Sequence, residues 1–145
     1  MFLTVSRSLV AAADARFEET NRLSSATAIQ RRRLQQAKDD AGRRAIANEA
    51  ETARAAIADE TIARLAEDYE QGAVLDFFFA DQLREIQASG FDIANFFGDM
   101  VSQLDPAREG KRLSEVSAAR ARAVAARIAH PRYSVWLIDP SAEAR

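Results

Sequence analysis

His130 is the only imidazole in this chain of 145 residues. It stands beside Pro131 at the end of an alanine-rich stretch, where it reads as part of a helix stop rather than as a base or a ligand. No cysteine is present, which excludes thiol nucleophiles, thiolate metal sites and disulfides. The acid pairs Asp39-Asp40 and Asp59-Glu60 are neighbours in sequence. On a helix such carboxylates diverge, so neither pair makes a two-carboxylate site alone. The Glu-x-x-His of di-iron bundles is absent, as are His-Glu-x-x-His, Gly-x-Ser-x-Gly, the P-loop and the dinucleotide fingerprint. The expectation is a protein that is not an enzyme and binds no metal or cofactor.

The chemistry that remains is anion recognition by arginine. The stretch QRRRLQQAKDDAGRR, residues 30–44, carries Arg31, Arg32, Arg33, Arg43 and Arg44, a net +4 with Lys38, Asp39 and Asp40 counted. The stretch SAARARAVAARIAHPR, residues 117–132, adds Arg120, Arg122, Arg127 and Arg132. Arg120 and Arg127 fall on one helical face and interrupt its apolar stripe, as phosphate contact would explain. Against nucleic acid, Asp39 and Asp40 break the first block and the linker before the last helix is too long for a helix-turn-helix. The whole chain also carries a net charge of only −2.

Those residues need helices to position them, and helix is what the composition favours. The sequence has 31 alanines, 18 arginines and two lysines. Leu3 to Arg22 reads as a first helix with Leu3, Val10, Ala13 and Phe17 on one face. Ser24 or Ser25 is a cap candidate for a second. From there to Gln71 the sequence has no proline and one glycine, Gly42. Asp39/Arg43, Asp40/Arg44 and Glu60/Arg64 sit at i, i+4 with the acid first. The expectation is one long helix over about residues 25–71, roughly 70 Å in length. Its stripe through Leu34, Ala37, Ala41, Ala45, Ile46, Ala50, Ala53, Ile57, Ile62, Leu65 and Tyr69 is thin. It therefore calls for helices folded back along it, for association between copies, or for both.

Six of the eight phenylalanines lie within residues 73–97. Leu75, Phe78, Phe79, Leu83 and Ile86 occupy a helical arc of about 140°, a core-facing side. Val74 and Phe77 widen the arc to about 240°, more than one neighbour needs. That excess points to a partner or subunit contact at Phe77. Gly72 and Gly90 read as helix ends. In GFDIANFF, Asp92 as N-cap puts Phe91 and Phe96 at hydrophobic-staple spacing, and Ile93, Phe96, Phe97, Met100, Val101 and Leu104 form an amphipathic stripe. Asp105-Pro106 ends that helix, AREGKRL is a loop, and Ser114 caps a last helix to about Ala129.

Residues 67–105 hold nine acids and one base, a net −8; residues 106–132 hold seven bases and two acids, a net +5. Mutual pairing of such blocks is their simplest use, setting orientation more than stability. The segment RYSVWLI is strand-like, with Tyr133, Val135 and Leu137 on one face and Ser134, Trp136 and Ile138 on the other. It is expected to cap the helices as an extended arm or to dock on a partner. Membrane-surface binding is disfavoured because the aromatic segment is acidic, and no apolar run reaches the roughly 20 residues of a membrane span. Arg7 interrupts the apolar N-terminal part and no basic residue precedes it, unlike a signal peptide.

The expected fold is all-α. A single elongated helical domain covers residues 1–132, built on the long helix with shorter helices packed along it and an aromatic helical hairpin at 73–104. An extended C-terminal arm covers 133–145. The expected role is a non-catalytic assembly protein in a larger homo-oligomeric or mixed complex, in the cytoplasm or inside an assembled particle. Val74, Phe77, Phe78, Tyr133, Trp136 and Ile138 are the protein-contact residues. The Ala/Arg/Gln-rich long-helix composition resembles that of small virion and secretion-machine components, which implies such a role. The alternatives are a nucleic-acid-associated regulator contacting phosphate through Arg31, Arg32, Arg33, Arg43, Arg44, Arg120 and Arg127, and an inhibitor or adaptor anchored by Phe77 or Trp136.

Overall fold

The computed structural model describes residues 2–90, 98 and 100–130. The described residues are all-α, without a strand. Helix α1 spans Phe2–Gln36, α2 Asp40–Glu70, α3 Asp76–Ser89, α4 Pro106–Glu109, α5 Arg112–Glu115 and α6 Ser117–Ala129. The capping and staple expected at Phe91, Asp92, Ile93 and Phe96, Phe97 beside them, and the arm with Tyr133, Trp136 and Ile138 lie outside the described residues.

The long helix is divided differently from the expectation. Residues 2–36 are one continuous helix, about 52 Å long, running straight through Ser24 and Ser25. The chain turns at Ala37–Asp39 and returns as α2. Asp39 makes the turn productive: its backbone is extended at φ −143°, ψ 172°, and its Oδ1 accepts from the Gly42 amide at 2.7 Å. Asp40 then puts an acid in the first turn of α2 while Arg33 puts a base in the last turn of α1. Both placements suit the helix dipole. Arg43 accordingly pairs with Asp40 at 3.6 Å, an i, i+3 contact, and Arg64 reaches across to α1 rather than to Glu60.

Cross-links along the hairpin fix its sense. Arg64 bridges Asp14 and Glu18, Arg54 donates to Gln30 at 2.6 Å and Arg33 pairs with Glu49, so α1 and α2 are antiparallel. At the far end of α2 the chain stops in a Schellman motif. The Gly72 amide donates to Tyr69 O at 2.9 Å and the Ala73 amide to Asp68 O at 2.9 Å, with Gly72 at φ +106°. Helix α3 then runs parallel to α1: Ser8 Oγ accepts from the Leu75 amide and Arg16 donates to Gln87 at 2.7 Å. It ends at Gly90 in the left-handed conformation, as expected.

AREGKRL is not a plain loop. Asp105 caps α4 with its carboxylate, accepting from Ala107 and Arg108, and Pro106 takes the first helical position. α5 follows after Gly110 and Lys111, and Val116 rather than Ser114 precedes α6. The core gathers at one end of the hairpin, where Ala12 and Ala15 meet Leu65, Ala66, Phe77, Phe78, Phe79, Ala80 and Met100. The other half of the hairpin is a two-helix arm in which Ile46 is buried.

Candidate protein-interaction site

Phe77 has its second surface inside the chain. It is 5% exposed. Its ring meets Tyr69 with centroids 6.2 Å apart, and the Arg112 guanidinium lies 5.9 Å from its centroid. Arg112 donates to Asp81 at 2.6 Å and to Glu109 at 3.1 Å. Burial opposes its charge, and the two carboxylates more than offset that, raising its pKa. The wide apolar arc of α3 is thus covered on one side by α1 and on the other by α2's end and the α4–α5 segment. Phe78 is buried too, edge-on to Phe79 at 5.4 Å, while Val74 is part-exposed at the turn. The anchor role expected of Phe77 gives way to a core role.

Beside it Asp76 is fully buried at the first position of α3. Its Oδ1 accepts from the Phe77 amide at 2.6 Å, and its Oδ2 has no hydrogen-bond partner among the described residues. Burial pushes this carboxyl up to about 7, with the charges of Asp68 and Glu109 adding to the effect and the Phe77 amide opposing it.

The arginines of α6 are also used internally. Arg120 forks onto Glu70 at 2.6 and 2.7 Å, Arg122 onto Asp59 at 2.6 and 2.7 Å, and Arg127 joins Glu60 and Glu67. The face shared by Arg120 and Arg127 therefore meets carboxylates of α2, and the charge blocks do pair within the chain. At the arm's tip Arg33 and Arg43 have acidic partners, while Arg31, Arg32 and Arg44 are exposed and have none among the described residues.

No protein-family model, curated protein or solved structure matches this chain. The surface must speak for itself, and α1 is where it does.

Helix α1 has large apolar side chains on both sides. On the face packed on α2 and α3, Ser8, Ala12, Ala15 and Glu19 are buried and Val5 and Leu9 pack part-buried against the core. Leu3, Val10 and Phe17 are 83%, 68% and 68% exposed. The sequence had placed these three on one face with Ala13, correctly, but that face looks away from the core. Their spacing of seven keeps them on one side of the helix. Alanines make the inner seam because only small side chains let α1 approach α2 closely, the same logic that drives alanine into tight helix pairs. Among the described residues no three metal-ligating side chains cluster, and no helix is long and apolar enough to cross a membrane.

Proposed function

We propose that this protein is a non-catalytic assembly component whose α1 pairs with α1 of a second copy, within a larger oligomeric complex. The observation that carries the reading is the exposed stripe Leu3, Val10 and Phe17, spaced by seven on the side of α1 away from the core. A second copy is favoured because the stripe is complementary to itself. An antiparallel pair centred on Val10 sets Leu3 of each helix against Phe17 of the other, and Val10 against Val10. The same register brings Arg7, which is exposed and lacks an acidic partner among the described residues, towards Asp14 of the opposite helix. The working place of such a protein would be the cytoplasm or the interior of the particle it builds.

Cysteine cross-linking tests this, since the natural chain has no cysteine. Val10→Cys is expected to oxidise to a covalent dimer and Ser24→Cys, off the contact, is not. Mixed Leu3→Cys and Phe17→Cys chains should cross-link with each other more readily than either does alone. Equal, slow cross-linking at all four positions would rule the contact out.

The nucleic-acid reading finds less support. Four arginines that pointed to it face carboxylates: Arg33, Arg43, Arg120 and Arg127. Only Arg31, Arg32 and Arg44 of that set are left for phosphate.

A further inference from the structure

Residues 105–116 lie against Phe77 as a separate piece of the fold. They form α4 and α5, four residues each, too short to persist without packing. Among the described residues, two hydrogen bonds tie this segment to the helices it covers. Tyr69 Oη donates to Glu109 O at 3.1 Å, and Arg112 donates to Asp81 at 2.6 Å. Leu113 and Val116 pack part-buried against the core, and the Arg112 guanidinium lies over the Phe77 ring. Next to Phe77, Asp76 is fully buried, and its Oδ2 has no hydrogen-bond partner among the described residues. Asp68 of α2 and Glu109 of α4 act on it as like charges. From α1 comes the uncharged Ser8, at the neighbouring Leu75 amide, while Arg7 lies by the turn at Gly72. Arg112 of α5 is engaged by Glu109 and Asp81.

We infer that residues 105–116 are a pH-gated flap, which lifts from Phe77 and Tyr69 when Asp76 loses its proton while α1, α2 and α3 stay in place. A buried carboxylate with one oxygen lacking a donor calls for water or a new partner. Helices α1, α2 and α3 are 35, 31 and 14 residues long and share the core, so they yield last. The short α4 yields first, and its outward movement both removes the Glu109 charge and admits water to Oδ2. With the flap closed the Asp76 carboxyl sits at about 7, against 3.8 for the free side chain. Wetted by opening, it approaches the free value, so the open form gives up a proton that the closed form keeps. Opening is therefore favoured by about tenfold per pH unit between about 4 and about 7, and levels off above that. Acid shuts the flap over the two rings, and neutral pH lets solvent reach them. None of Leu3, Val10 and Phe17 takes part, so the gate is independent of the pairing of α1.

Amide hydrogen exchange of the full chain, followed segment by segment from about pH 5 to about pH 8 and corrected for the intrinsic rate, tests this. The Glu109 and Val116 amides, bonded to Asp105 O and Arg112 O, report the flap. Their protection is expected to fall by about tenfold per pH unit up to about pH 7 and to change little beyond it. At neutral pH they should exchange at least about tenfold faster than the amides of α2 around Leu65. Asp76→Asn should flatten the pH dependence of the flap. Flap amides no faster than those around Leu65 would overturn the inference, because the opening would then be global unfolding. So would flap protection that stays constant from about pH 5 to about pH 7. Both of these are read on the natural chain, whether or not the variant folds. A pH dependence that Asp76→Asn retains would overturn it as well, by assigning the gate to another group.

Discussion

Arg127 bridges two carboxylates of α2, donating to Glu60 at 2.9 Å and to Glu67 at 2.5 Å, and so ties the last helix to the hairpin. The pairs are part-exposed, where each contributes at most about 1 kcal/mol and less as salt rises. Arg127→Ala is therefore expected to lower stability by about 1 kcal/mol in dilute buffer. Urea unfolding at two salt levels checks it: the deficit should shrink in high salt. An unchanged stability, with lost affinity for DNA, would mean the arginine serves phosphate instead.

Asp76 makes stability depend on pH in an unusual direction. Its carboxyl sits at about 7 in the fold against 3.8 for the free side chain. Between those values the unfolded chain has given up a proton that the folded chain keeps, so stability falls as pH rises from about 4 to about 7. Glu18 and Glu70 work oppositely, held below the ordinary carboxylate range by Arg22 and Arg120, and lose their contribution on acidification. Asp76→Asn keeps an acceptor for the Phe77 amide and removes the buried charge. It is expected to raise stability above neutral pH by up to roughly 4 kcal/mol, with little change near pH 4. Thermal unfolding followed across that range measures both slopes.

Phe77 and Phe17 should behave as opposites. Phe77→Ala opens a cavity under Arg112 and Tyr69 and is expected to cost roughly 3–5 kcal/mol. Phe17→Ser, on an exposed position, should stay within about 0.5 kcal/mol in the monomer. Chemical denaturation of both variants at low protein concentration separates them.

Gly72 ends α2 at φ +106°. A Cβ there would lie 3.9 Å from the nearest atom, Arg7 Nη1, so space is not the obstacle. The cost of Gly72→Ala is backbone strain, about 1–2 kcal/mol, readable as a lower melting temperature.

Much of this was legible from residue types. Gly72 and Gly90 mark helix ends because their conformations suit a residue without Cβ, and the arc of Leu75, Phe78, Phe79, Leu83 and Ile86 is core. The width of that arc was read as a partner or subunit contact at Phe77, whereas Phe77 is buried within the chain. What sequence could not convey was that Arg112, 35 positions later, would supply its second surface. The turn at Ala37–Asp39 was hidden because it contains neither proline nor glycine. Its signal is a switch from the bases at 31–33 to the acids Asp39 and Asp40, which suits a helix end followed by a helix start. Reading Asp39 and Asp40 as i, i+4 partners used up that signal. The outward side of Leu3, Val10 and Phe17 was hidden for a related reason: large apolar residues usually mark the core, whereas on α1 the buried positions nearest the other helices are Ser8, Ala12 and Ala15, with Val5 and Leu9 beside them.

Mass by light scattering during size-exclusion chromatography tests the α1 pairing most directly, for the natural chain and for Val10→Asp at several concentrations. The expected result is a defined multiple of 16.0 kDa for the natural chain that persists in salt, and a shift of Val10→Asp towards a smaller species with its helicity intact. A natural chain that stays at 16.0 kDa at every concentration, or an oligomer that Val10→Asp leaves untouched, would contradict it.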